Sequence, residues 1–327
     1  MSPRIVIAGG YGLVGGRIAT LLREAGHALD LVLAGRNPDQ GAALAGRIGA
    51  RTSWLDVADP APGLAALGPV DLVVAALQDP GDNLLAASLR AGAAHIGIVR
   101  TAGTMASTAI AAADLARRPA LMLGHWQAGV LTWATLAAAR AFARVEAVEM
   151  AALYDPADPI GPMTSADAGG FIGRALVRRG GTWTEVEAAS TGRLVAAAGT
   201  GFEAHPMGVL DTPAVAAITG AADVRFDLGV GPSIGSLAGR GASHDLYIDL
   251  RGILADGRPG RRRTVVSDPA GQAHLTAAGV VIGVERLLGL DGAPPPPTGL
   301  AFPETAVDAE VAAGRLRGMG VRFETAT

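Results

Sequence analysis

The sequence contains no cysteine and, since all 27 of its basic residues are arginine, no lysine. Without cysteine there is no disulfide, no thiolate metal site and no thiohemiacetal chemistry of the aldehyde-oxidising kind. Without lysine there is no Schiff-base nucleophile and no Tyr-x-x-x-Lys pair. A proton donor, where one is needed, must be His, Tyr, Asp, Glu or water. No apolar stretch is both long enough and free enough of charge to cross a bilayer, and no charged leader with a long apolar core precedes the first strand-like run. These absences predict a cytoplasmic protein without a membrane partner. Nucleic acid is not an expected partner either, because the formal net charge is −3 and no basic stripe stands out. The one basic cluster, Arg258 with Arg261-Arg262-Arg263, falls in a Gly/Pro-rich stretch and reads as a solvated hairpin end. No histidine is spaced with another His or a carboxylate as in a zinc triad, and Asp155-x-x-Asp158 lies in a Pro-rich turn, so no metal site is expected.

Against these absences stands a glycine-rich turn at the start of the chain. The apolar run Ile5-Val6-Ile7-Ala8 feeds into Gly9-Gly10-Tyr11-Gly12-Leu13-Val14-Gly15-Gly16, and a helix-patterned stretch follows to Ala25. A strand, a tight turn without Cβ atoms and a helix start let a pyrophosphate approach backbone N–H groups at the positive end of a helix. Gly9, Gly10, Tyr11, Gly12, Leu13, Val14 and Gly15 are therefore candidate contacts of a dinucleotide cofactor. The second strand, Leu29–Ala34, runs out into Gly35-Arg36-Asn37. A ribose 2′-hydroxyl calls for an acid there, whereas a 2′-phosphate calls for a cation and no acid. Arg36, with Asn37, fits NADP(H); the only acid in the strand, Asp30, stands near its beginning.

With 327 residues, half of them hydrophobic, the chain can fill two packed domains. Strand-like runs at Arg4–Ala8, Leu29–Ala34, Arg51–Leu55, Leu72–Ala76, Ala94–Ile98 and Ala120–Leu123 alternate with helical stretches at Leu13–Ala25, Gln40–Ile48, Asn83–Ala91 and Ser107–Ala116. That alternation predicts an α/β, doubly wound Rossmann sheet over residues 1–125, with the ligand at the carboxyl ends of its strands. Asp56, Ala76, Leu77 and Gln78 at those ends are further cofactor candidates, although Asp56 reads equally well as a turn-capping residue. Residues 126–271 read as an inserted α+β mixed-sheet domain: a helix over Gln127–Ala143, a strand over Val145–Tyr154, a helix over Ser165–Arg179, then short strands and a hairpin turn at Ala255–Arg258. Residues 272–327 read as C-terminal helices returning to the first domain, beyond a stiff Pro294–Pro297 segment that resembles a linker.

Here the chain resembles the saccharopine dehydrogenase-like oxidoreductases. The resemblance rests on Ile7–Gly15 with Ala34-Gly35-Arg36-Asn37, on Ala86–Gly92, and on Phe302-Pro303-Glu304 with Val307-Asp308. It implies an NADP-binding Rossmann domain, an inserted mixed-sheet domain that also forms a homodimer, and hydride transfer at a C–N or C–O bond of a small-molecule substrate. A reductase needs a group that polarises or protonates the developing anion. His125, directly after the sixth strand, is the first candidate, as an imidazole titrating near neutrality beside a pocket wall at Trp126. Tyr154, at the end of a long strand, is the second. Arg100, Arg174 and His205 are candidate substrate contacts, arginine because it binds carboxylates bidentately. An NADP(H) sensor that keeps the fold without turnover is the alternative reading.

Overall fold

The computed structural model describes residues 2–98, 104–161, 174–187, 191–197 and 201–326. The chain divides into two compact units, Met1–Gly124 with Thr276–Val307, and His125–Leu275 with Asp308–Thr327. Among the described residues no helix is long and apolar enough to cross a membrane.

The first unit is a parallel sheet of β1 (Arg4–Ala8), β2 (Asp30–Gly35), β3 (Arg51–Trp54), β4 (Leu72–Ala75), β5 (Ala94–Gly97), β6 (Pro119–Met122) and the late strand β15 (Gly299–Ala301), in the order β15-β6-β5-β4-β1-β2-β3. The strands alternate with α1 (Leu13–Glu24), α2 (Ala42–Ile48), α3 (Ala61–Leu67), α4 (Asn83–Arg90) and α5 (Met105–Leu115). Ile5–Ala8, Leu31–Ala34 and Leu72–Ala75 are buried throughout, as strands covered on both faces must be. The order reverses between β1 and β4, so a ligand crevice is expected at the carboxyl ends of those two strands. Helix α3 escapes the periodicity reading because its Ala/Pro/Gly-rich sequence offers only two large apolar side chains, Leu64 and Leu67. The Pro294–Pro297 segment joins helix α9 (Gln272–Leu287) to β15 within this unit and does not link domains.

The second unit is built on a mixed nine-stranded sheet, its main path running β10-β11-β12-β7-β13-β14-β16. Its strands are β7 (Phe142–Tyr154), β8 (Arg174–Arg179), β9 (Thr182–Glu187), β10 (Arg193–Val195), β11 (Phe202–Pro206), β12 (Asp223–Val230), β13 (His244–Leu254), β14 (Pro259–Asp268) and β16 (Arg322–Ala326). Helices α6 (Val130–Ala139) and α7 (Asp211–Thr219) pack on the sheet, α8 (Ile234–Leu237) is a short helix between β12 and β13, and α11 (Ala309–Gly318), which follows the short α10 (Pro303–Ala306) of the first unit, packs on α6. The α/β plus mixed-sheet architecture is the one expected from sequence. The β13–β14 hairpin turns at Ala255–Arg258 as expected, with Leu254 N–H donating to the Arg258 carbonyl at 2.8 Å.

Three expectations are corrected. The described part of the Ser165–Arg179 stretch is not helical: residues 174–179 form β8, paired with β9 through Gly180 (φ 53°) and Gly181 (φ 84°). Two successive left-handed residues make a two-residue hairpin turn, and the burial of Ala175 and Val177 follows the period of a strand. Arg261–Arg263 lie inside β14, not at a hairpin end. The tail does not return to the first unit beyond Val307, because β16 adds to β14 as an antiparallel strand and α11 buries Ala312, Ala313 and Leu316. Leu316→Ala is expected to destabilise the protein by about 2–5 kcal/mol through lost burial and a residual cavity. Urea denaturation of the full chain measures this; a loss below about 1 kcal/mol would show that the tail does not support the second unit.

Candidate functional site

In the first unit the glycine turn sits at the point where strand order reverses. Gly9 adopts φ +77°, and a Cβ there would lie 2.8 Å from the Ala76 carbonyl oxygen beyond β4. Gly15, in the first turn of α1, would place a Cβ 2.1 Å from the Gly9 carbonyl oxygen, so helix and strand meet backbone to backbone. Gly12 is the N-cap of α1 and supplies no capping side chain, and the first turn carries no acid. The N–H groups of Leu13, Val14 and Gly15 are thus left for a ligand, at the end of the helix that favours negative charge.

Tyr11 reaches across to the end of β2. Its hydroxyl accepts from the Asn37 N–H at 3.0 Å, and its ring occupies the space that side chains at Gly35 and Gly41 would need. Between them Arg36 is exposed and forms no hydrogen bond or ion pair among the described residues. Asp30 is committed at the far end of the strand to Arg4 (2.7 Å) and Arg51 (3.1 Å). The Arg51 hydrogen bond holds its carboxyl below the usual carboxylate range, against a smaller effect of burial. Ala76 and Leu77 are half-buried and Gln78 is exposed beyond β4. Asp56 accepts from the Ala58 N–H at 3.0 Å, a local turn closure. Sequence reading missed Asp79, whose buried carboxylate accepts from Leu84 and Leu85 N–H at 3.1 and 3.0 Å and closes the start of α4. Arg100 lies outside the described residues.

In the second unit His125 is buried, and the next residue, Trp126, enters a buried polar cluster. Gln127 (φ 52°), Ala128 (φ 53°) and Gly129 (φ 92°) are successively left-handed, which keeps α6 from starting before Val130. A left-handed non-glycine residue is strained by about 1–2 kcal/mol, so the surroundings must hold this turn in place. Asp211, fully buried at the start of α7, accepts from Trp126 N–H and from Thr132 Oγ1, both at 2.7 Å. The Trp126 indole Nε1 donates to His244 Nε2 at 3.2 Å, and the Gln127 amide lies 3.0 Å from the same atom. Trp126 also stacks on His244 and tilts against Phe226 at a 5.1 Å ring separation. An Nε2 that accepts from indole leaves the His244 proton on Nδ1, an atom buried without a hydrogen-bond partner among the described residues. Asp211 and His244 were not found from sequence because their partners lie 85 and 118 residues away along the chain.

The other candidates stand apart from this cluster. Tyr154 is half-buried at the end of β7, and its carbonyl accepts from Gly231 N–H at 3.0 Å. Its neighbour Asp155 closes turns, accepting from Ser233 and Ala157 N–H at 2.8 and 2.9 Å. Arg174 is exposed on β8 beside Glu185 and Glu187, and His205 is exposed on β11 beside Glu203. Among the described residues no three His, Asp or Glu side chains gather as a metal site.

Burial sets the protonation of the cluster. Desolvation lowers His125 to about 3 and His244 to about 4, so both rings are neutral at neutral pH, and the expectation of a near-neutral His125 is corrected. Burial raises the Asp211 carboxyl to about 6, opposed by the hydrogen bonds from Trp126 and Thr132. Both histidines titrate lower in the native state than the ordinary 6.5, so acid protonates the unfolded chain first and stability falls as pH drops from 6.5 toward 4. Asp211 acts in the opposite sense between 3.8 and 6, where the native state holds the extra proton. His244→Gln is expected to reduce the slope of unfolding free energy against pH in that window by about 1.4 kcal/mol per pH unit, one proton's worth. Urea denaturation at a series of pH values reads the slope; an unchanged slope would mean that His244 is not held neutral in the native state.

No protein-family model and no curated protein matches this sequence. Solved structures do match. Apo saccharopine dehydrogenase (L-Glu forming) from Saccharomyces cerevisiae superposes with a TM-score of 0.75 at 14% identity, over 100% of both chains. GenD2 from gentamicin A biosynthesis, in complex with NAD, gives 0.50 at 17% identity over 100% of this chain and 97% of its own. A myo-inositol dehydrogenase from Corynebacterium glutamicum gives 0.50 at 14% identity over 100% of this chain and 99% of its own. The chain has a saccharopine dehydrogenase-like fold.

Proposed function

We propose that the chain is an NADPH-dependent oxidoreductase transferring hydride to a C=N or C=O bond of a small substrate, one that can carry a carboxylate. The observation that carries this reading is the glycine turn at the β1/β4 reversal, with the uncapped N-terminus of α1 beside it and, at the end of β2, an Arg36 whose side chain has no partner among the described residues. A pyrophosphate fits the free N–H groups of Leu13 to Gly15, and a 2′-phosphate fits the Arg36 guanidinium, with no carboxylate at that strand end to repel it. The fold supports the reaction class: one similar structure is a saccharopine dehydrogenase and another holds NAD. The cofactor, when bound, supplies the hydride; the residues of the chain orient the substrate and manage the charge that develops on it.

For that second task we assign His125 as a neutral hydrogen-bond donor, because burial keeps its ring uncharged at neutral pH. A neutral imidazole can polarise a carbonyl or imine without delivering a full charge. Trp126 walls the site, and the Tyr154 hydroxyl is the remaining proton-bearing candidate.

Titration of the protein with NADPH and NADH, followed by energy transfer from tryptophan to nicotinamide, tests the cofactor assignment. Tight NADPH binding with weak NADH binding is expected; binding of neither removes the reading. Arg36→Ala should weaken NADP relative to NAD by about tenfold or more, the loss of a charge-assisted phosphate contact. In a turnover assay His125→Ala should lower kcat by about 10²–10³-fold, and an unchanged kcat at saturating substrate removes its catalytic role. Binding with no turnover on keto acids, imines or amines would assign the sensor.

A further inference from the structure

The second unit carries a cavity of about 820 Å³ on its sheet, lined by none of the residues assigned above and rich in arginine. Its floor follows from strand register. Asp223, Ala147, Arg251 and Arg261 stand level on β12, β7, β13 and β14, and Arg179 comes level with Asp223 one residue beyond the Val224–Arg178 pair. Level residues on neighbouring strands share a face and lie in contact range. The small Ala147 side chain leaves a pit in the middle of this row.

The next row is neutralised from within. Arg225 and Arg193 both hold the fully buried Asp227, Arg193 also reaches Glu149 at 3.2 Å, and Arg263 holds Asp249. The Ala147 row is not. Asp223 is engaged by the Gly180 N–H at 2.8 Å, and Arg251 reaches Glu146 at 3.2 Å. The side chains of Arg179 and Arg261 form no hydrogen bond or ion pair among the described residues. Arg261 stands directly opposite Arg251, a like-charge pairing that destabilises a sheet unless something of opposite charge lies over it. In a chain of net charge −3, this is a local surplus of positive charge around a depression.

We propose that this cavity binds a multivalent oxyanion of the diphosphate type, seated over Ala147 and clasped by Arg251, Arg261 and Arg179. Guanidinium forks match phosphate oxygens in geometry, and their mounting on strands organises them in advance. A second copy of the chain is a poorer occupant, because a two-fold contact through this face brings together two surfaces that each carry an excess of arginine over acid.

Inorganic pyrophosphate is the probe, with thermal unfolding of the full-length protein as readout and NADP⁺ present in excess to fill the glycine turn. Pyrophosphate should raise Tm in a concentration-dependent manner. Arg261→Gln and Ala147→Leu, the first removing a charge and the second filling the pit, should each abolish the shift, while Arg261→Lys keeps most of it. Without the probe, Arg261→Gln should melt no lower than the parent, since it relieves the opposition to Arg251. An equal shift in Arg261→Gln, or none in the parent protein, overturns the proposal. A dimer, detected by light scattering, that Ala147→Leu dissociates without any pyrophosphate effect also overturns it and assigns the face to a second copy. These outcomes do not depend on whether NADP⁺ binds, because the site is read from the difference between the parent and its sheet variants.

Discussion

The first unit depends on one backbone approach that admits no side chain. At the β1/β4 reversal, Gly9 lies against the Ala76 carbonyl and Gly15 against Gly9 itself, each closer than a Cβ allows. That approach seats α1 directly on the end of β1, aims its free N–H groups at the space over the reversal, and leaves room for Tyr11 to close on β2. Arg36 is presented as a consequence, since Gly35 and Asn37 on either side of it are held by the Tyr11 ring and hydroxyl.

The second unit has a different organising constraint, a buried carboxylate. Asp211 holds the Trp126 backbone and the Thr132 side chain, and so brackets the left-handed turn from Gln127 to Gly129. Removing a carboxylate from water is unfavourable unless its lone pairs are used, and here both oxygens accept short hydrogen bonds. His244 restrains the same turn from β13 through the indole and amide of Trp126 and Gln127. The strained backbone from Gln127 to Gly129 is therefore supported from two elements, α7 and β13.

Much of the first unit was legible in sequence because its signals are local. Apolar runs of four to six residues, helices between them and a glycine turn at a strand end specify a parallel sheet and its ligand edge without long-range information. The positions of Arg36, Tyr11 and the glycines at the strand ends follow for the same reason, since they belong to turns a few residues long. The mis-assigned stretch before Gly180 shows the limit. Its alternating burial and Gly-Gly turn are strand signals, but six residues rich in arginine fit a helical pattern as well, and only pairing with β9 decides.

By itself the sequence determined the dinucleotide-type turn, the missing acid at the end of β2 and the exclusion of lysine and cysteine chemistry, because these depend on residue type and short spacing alone. The tertiary structure decided which distant residues meet. It joined Asp211 and His244 to Trp126, drew the tail into the second sheet, made His125 neutral through burial, and brought five strands level to set Arg251 against Arg261 beside Ala147. Strand register, desolvation and long-range hydrogen bonds are properties of packed neighbours, and no local spacing encodes them.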